Sequence, residues 1–144
     1  MLQLDIAGIA HAIGGHLIGN GERQIRGVVT DSRRVRPGDL FVALDGARTD
    51  GHKFLEQVLK AGAAAALVMP DRGERPPGLA CVVVGDTLQA LAALARFHLG
   101  RLNCQVVGIT GTVGKTTAKD FLAHLLGGPL CRVHAAPASY NSEC

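Results

Sequence analysis

An apolar run enters a turn bounded by glycines, and a helix-forming stretch follows at once: residues 106–126 read VVGITGTVGKTTAKDFLAHLL. This order predicts a strand over residues 105–110, a glycine loop, and a helix over residues 115–126 with a stop at Gly127 and Gly128. The first amides of a helix have no intrahelical partners, and the aligned peptide dipoles add about half a positive charge at that end. A loop that curls back onto such a terminus holds polyphosphate, so the pattern predicts a nucleoside triphosphate cradle. Gly111 and Gly114 lack a Cβ and let the backbone close on phosphate oxygens. Lys115 has the reach for the β and γ phosphates, Thr116 carries a hydroxyl for magnesium, and Thr117 can donate to phosphate. The general pattern GxxxxGK[ST] would require glycine where Ile109 stands, so this is a shorter loop, GxxGKTT.

The rest of the 144-residue chain must supply a core with little aromatic material. Hydrophobic residues make up 47% and aromatics 3%, which predicts an interior of Ala, Leu, Val and Ile in a compact α/β protein. A short amphipathic helix is expected where Leu4, Ile6, Ile9, Ala10 and Ile13 recur before Gly14. Strands are expected over residues 24–30, 40–44, 63–69, 81–84 and 130–134. Helices are expected over residues 53–61 and from an Asp86 or Thr87 cap to Leu99. The stretch PDRGERPPG at residues 70–78 reads as a loop. A composition change near Leu102 divides the chain into residues 1–102 and 103–144.

Charge and cysteine usage narrow the classes. Fifteen Lys and Arg against twelve Asp and Glu, without a basic run, do not predict nucleic-acid binding. No stretch reaches the ~18 to 20 apolar residues of a membrane span, so no membrane insertion is expected. Cys81, Cys104, Cys131 and Cys144 show no metal-ligand spacing, and neither zinc nor a disulfide is expected. Cys81 and Cys104 adjoin apolar runs and are expected to be buried, reduced thiols in a cytoplasmic protein.

TGTVGKTT resembles the ATP loop of the Mur ligases, the ATP-dependent amide-forming enzymes of peptidoglycan synthesis. Upstream, TDSRRVRPGDLFVALDGARTDGHKFLEQVLKAGAAAALV is similar to the uridine-nucleotide-binding domain of that family. The closing PASYNSEC resembles a segment of the MurF branch, which adds D-alanyl-D-alanine to UDP-N-acetylmuramoyl-tripeptide; Ser142 stands where that branch usually has a second Asn. The MurE branch shares the DSR and DGH features and is the alternative within the family. A non-catalytic nucleotide-sugar module and an unrelated P-loop kinase are the alternatives outside it; the kinase would need a later strand ending in Asp, and none follows Thr117.

The resemblance implies a small mixed-sheet N-terminal domain that binds UDP-substrate, followed by the start of a parallel-sheet P-loop ATPase domain. It assigns ATP to Gly111, Thr112, Val113, Gly114, Lys115, Thr116 and Thr117, magnesium to Thr116, and charge neutralisation in catalysis to Lys115. It places Ser32 and Arg33 near the uridine diphosphate, and Ala47, Arg48 and Thr49 against uracil and ribose. Asn141 is placed near substrate or ATP. Cationic forks suit phosphate, which supports Arg33 and Arg48 from the residues themselves. Asp31, Asp39 and Asp50 are expected to organise turns and His52 to cap its helix. The implied chemistry is phosphorylation of the tripeptide carboxylate by ATP, then attack on the acyl phosphate by the amine of D-alanyl-D-alanine. The family's remaining magnesium ligands, modified lysine and C-terminal domain would lie beyond Cys144. The chain alone is therefore expected to lack ligase activity; separately, it is expected to be a monomer.

Overall fold

A computed structural model of the chain describes residues 4–46, 49–128 and 132–136. The chain separates into two compact units that meet between Asn103 and Cys104.

The first unit is a five-stranded mixed sheet in the order β1-β5-β4-β3-β2. Its strands are β1 (His16–Ile18), β2 (Gly27–Val29), β3 (Asp39–Val42), β4 (Ala65–Val68) and β5 (Ala80–Val83). β2, β3, β4 and β5 run parallel, and β1 closes one edge antiparallel to β5. Strands buried on both faces need apolar residues at every position, and LFVA and AALV meet that requirement. Leu40, Val42, Ala65, Leu67, Ala80 and Val82 face one way, against Ile6, Ile9, Ala90 and Leu94 of α1 (Ile6–Ile13) and α3 (Thr87–Gly100). Phe41, Ala66, Val68 and Cys81 face the other, against Leu55 and Val58 of α2 (Leu55–Lys60). With one Phe in the two cores, small Ala side chains let these helices approach the sheet closely.

Local caps agree with the sequence. Asp5 accepts from the Gly8 amide at 2.6 Å, and Asp86 accepts from the amides of Leu88 and Gln89 at 2.8 and 3.0 Å. The expected helix over residues 53–61 begins instead as a 3-10 turn, Gly51–Phe54, before α2. The strand expected over residues 24–30 shortens to β2, while Gln24 makes an isolated bridge to Asp5. β1 lies in a stretch from which no strand was expected.

The second unit departs further from expectation. Its helix α4 runs Lys115–Leu126, as the periodicity predicts. The strand expected over residues 105–110 does not form. A strand needs a neighbour to take its backbone hydrogen bonds, and no described residue of this unit lies in a strand. Val106 and Val107 are accordingly 70% and 60% exposed. Cys104 is exposed for the same reason, against the expectation of burial, whereas Cys81 is buried in the sheet. Residues 132–134 of the last expected strand are also irregular, and the remainder of that segment lies outside the described residues.

Candidate functional site

Parallel neighbours emit their following loops from the same end of a sheet, and ligands of α/β proteins bind beyond those carboxyl ends. Here β2 leads into the 3-10 turn Ser32–Arg34, β3 into residues 43–50, and β4 into residues 69–78. Since the three strands are adjacent, residues 31–34 and the reversal around Thr49 share one edge of the first unit.

Asp31 builds the first of these loops. Its Oδ1 accepts from the Arg33 amide at 3.0 Å, the local turn expected of it. The same carboxylate also receives Arg33 Nε at 2.9 Å and the terminal guanidinium nitrogen at 2.8 Å, a two-pronged pairing that sequence reasoning missed. The guanidinium, then the amide, of Arg33 pull the Asp31 carboxyl from 3.8 down to about 2, and Asp31 in turn raises Arg33. Arg33 nevertheless remains 82% exposed in its side chain, so its unpaired N–H groups are open to an anion. Ser32 is half-buried beside it.

The second loop is a tight reversal. Asp45 and Asp50 form an isolated antiparallel bridge, and the Gly46 amide donates to the Thr49 carbonyl at 3.2 Å. Thr49 is exposed opposite Gly46; Ala47 and Arg48 lie outside the described residues. Asp50 organises the next turn, accepting from the His52 amide at 2.9 Å. Asp39 does the same for the Arg36 amide at 2.8 Å. Burial opposes the charge on Asp50, but the amide and ring of His52, aided by Arg72, outweigh it and leave its carboxyl below the usual range.

His52 does not cap a helix. Its ring is 2% exposed, with Nδ1 at 2.6 Å from Asp50 Oδ1 and Nε2 accepting from the Met69 amide at 2.9 Å. Accepting at Nε2 places the proton on Nδ1, so His52 donates to Asp50. The ring thus ties the loop after β3 to the end of β4. No local pattern reveals such a role, because the partners are 17 residues apart.

In the second unit, Gly114 stands at the N-terminus of α4 with φ 81°, ψ 3°, a left-handed conformation that favours glycine, and no side chain caps the helix. The Gly114 carbonyl already accepts from Ala118, so the amides of Lys115, Thr116 and Thr117 precede the first intrahelical bond. Gly111 is also left-handed at φ 154°. The Lys115 ammonium folds back to donate to the Gly111 carbonyl, across the loop that Thr112 and Val113 span. Val113 is 91% exposed at its crest. Free amides, an adjacent ammonium and exposed Thr116 and Thr117 hydroxyls are a donor set suited to phosphate oxygens and to a hard cation. Asn141 lies outside the described residues. Among the described residues, no cluster of three His, Cys, Asp or Glu could hold a metal, and no helix is long and apolar enough to cross a membrane.

Comparison with known proteins identifies the family. The family model described as "Mur ligase family, catalytic domain" matches residues 24–98, a span that ends before the glycine loop. The UDP-N-acetylmuramoyl-tripeptide–D-alanyl-D-alanine ligase of Bacillus subtilis (strain 168) is 39% identical over 145 residues, covering 99% of this chain. The UDP-N-acetylmuramoyl-L-alanyl-D-glutamate–2,6-diaminopimelate ligase of Syntrophomonas wolfei is 43% identical over 108 residues, covering 73% of this chain. The chain spans only 32% and 22% of those two relatives. Among solved structures, MurF from Acinetobacter baumannii superposes with a TM-score of 0.70 at 34% identity, over 85% of this chain and 27% of that one. MurF from Thermotoga maritima, in complex with ADP, gives 0.61 at 42% identity, over 70% of this chain and 23% of that one. The family model covers more than half of the sequence, and the five-stranded mixed sheet is shared with solved members: the chain belongs to the Mur ligase family.

Proposed function

We propose that this chain is the N-terminal part of a cytoplasmic ATP-dependent ligase that joins D-alanyl-D-alanine to UDP-N-acetylmuramoyl-tripeptide in peptidoglycan synthesis. The observation that carries this reading is 39% identity across 99% of the chain to a ligase of that name. In this reading residues 1–102 bind the UDP-substrate and residues 103–144 begin the ATP-binding domain. The carboxyl-terminal edge of the sheet is the substrate site, with Ser32 and Arg33 toward the diphosphate and Ala47, Arg48 and Thr49 toward uridine.

The glycine loop takes the triphosphate. The amides of Lys115, Thr116 and Thr117 donate to the phosphate oxygens, and Lys115 exchanges its intramolecular partner, the Gly111 carbonyl, for the β and γ phosphates. Magnesium held on the Thr116 hydroxyl would neutralise charge on those phosphates. A carboxylate is a poor electrophile, so a substrate carboxylate oxygen takes the γ phosphoryl group and ADP leaves. The incoming amine then bonds to the acyl carbon, loses a proton and expels inorganic phosphate. Positioning and charge neutralisation are the protein's contribution.

Calorimetric titration with UDP-N-acetylmuramoyl-tripeptide tests the reading. Binding by the wild-type chain that disappears in Ser32→Ala/Arg33→Ala supports it. Binding that survives the double substitution would move the substrate elsewhere. The diaminopimelate ligase relative favours a second reading, in which the dipeptide form of the UDP-sugar binds more tightly than the tripeptide.

A further inference from the structure

The loop after β4 adds a cation to the same sheet edge. Arg72 donates to Asp45 Oδ2 at 2.7 Å and lies 3.4 Å from Asp50 Oδ2. It therefore spans the two carboxylates at the base of the reversal that carries Thr49, from positions 27 and 22 residues away. Like charges facing each other across an antiparallel bridge repel, and Asp45 and Asp50 are such a pair. Arg72 turns that repulsion into a three-membered clamp, whose other flank is the part-buried bond of Asp50 to His52.

The turn that delivers Arg72 is itself constrained. Asp71, at φ 58°, is the one non-glycine residue with positive φ among those described, and conformations of this kind persist where surrounding structure imposes them. Gly73 lies so close to His52 that a Cβ there would stand 3.1 Å from the His52 carbonyl oxygen. The turn is thus seated on the residue that already joins β3's loop to β4. The Arg72 and Asp45 side chains are 45% and 42% exposed, and pairs so open to water add little to global stability. What they can do is fix one loop against another.

We propose that Arg72 is a positioning residue for the uridine-nucleotide site: by bridging Asp45 and Asp50 it fixes the reversal bearing Thr49, and its one positive charge offsets half of the negative charge of those two carboxylates on an edge that receives an anion. This rests on the reading of that edge as the nucleotide-sugar site.

The test compares Arg72→Ala and Arg72→Lys with the wild-type 144-residue chain, by amide exchange at Gly46 and Gly51 and by calorimetry with uridine diphosphate. Both amides are hydrogen-bonded, to Thr49 and Leu44, so their exchange reports opening of the reversal. In Arg72→Ala they should exchange about tenfold faster, and uridine diphosphate affinity should fall by about fivefold or more through lost preorganisation. The melting temperature should hardly move. Arg72→Lys should recover only part of the affinity, because an ammonium cannot fork across two carboxylates. Unchanged affinity in Arg72→Ala, with wild-type binding still sensitive to Ser32→Ala/Arg33→Ala, overturns the positioning role and leaves the site intact. A proportionate fall in melting temperature overturns it too, as a general structural effect. Faster exchange in Arg72→Ala, in a chain whose wild type binds no uridine diphosphate, overturns the nucleotide reading while leaving the clamp in place.

Discussion

The backbone N–H of Met69 donates to Nε2 of His52 at 2.9 Å, inside a region where the ring is 2% exposed. One imidazole so closes the gap between the end of β4 and the loop that follows β3, and its single N–H, on Nδ1, donates to Asp50. The carboxyl-terminal edge of the sheet is held from beneath by this bond.

Removing that acceptor should be costly. His52→Ala leaves the half-buried Met69 amide without its partner and opens a cavity where the buried ring stood, which together cost about 2–4 kcal/mol. His52→Phe should restore volume but not the acceptor, and should recover only part of the loss. Chemical denaturation of the two variants, with the wild type as reference, measures both.

Acid should weaken the first unit through its depressed aspartates. Asp31 falls to about 2 under the pull of the Arg33 guanidinium and amide. Asp86 falls because the Gln89 amide donates to it most strongly; burial opposes this, and the Leu88 amide and the Gln89 side chain together with the Gln89 amide outweigh it. A group whose carboxyl is lower in the folded than in the unfolded chain stabilises the fold while ionised. That contribution is complete above the ordinary value of 3.8 and drains away as pH falls toward about 2. Denaturation midpoints followed through this window should drop, and the slope should be shallower in Asp31→Asn/Asp86→Asn.

Asp86 also carries a local prediction. Its carboxylate is the acceptor for two of the orphan amides of α3. Asp86→Ala should lower the melting temperature and speed amide exchange most at Leu88 and Gln89, with little change in the sheet. Uniform acceleration across the sheet would rule out a capping role.

The two described cysteines should differ in reactivity. Burial raises the Cys81 thiol, opposed more weakly by Arg75, and its side chain lies within the sheet core. Cys104 is exposed. Alkylation at about pH 8, where an ordinary thiol is partly ionised, should label Cys104 quickly and reach Cys81 only once denaturant opens the sheet. Peptide mass spectrometry resolves the two sites.

Much of this protein is written locally. The helix periodicity of residues 115–126, the Asp5 and Asp86 caps, the turn at Asp31 and the apolar segments of β3, β4 and β5 depend on neighbours within a few positions, so the sequence alone determines them. The glycine loop is legible for the same reason: free amides at a helix start follow from chain geometry. Tertiary structure decided the rest. β1 is three residues whose strand character comes from pairing with β5, and the apolar run before Gly111 is no strand because nothing described in its unit pairs with it. Asp31 gripping Arg33 and Arg72 spanning Asp45 and Asp50 depend on side-chain direction and on which strands lie side by side. Hydrogen bonds between segments 17 to 27 residues apart leave no periodic trace along the chain; they exist only once the parallel sheet has brought the ends of β2, β3 and β4 to one edge.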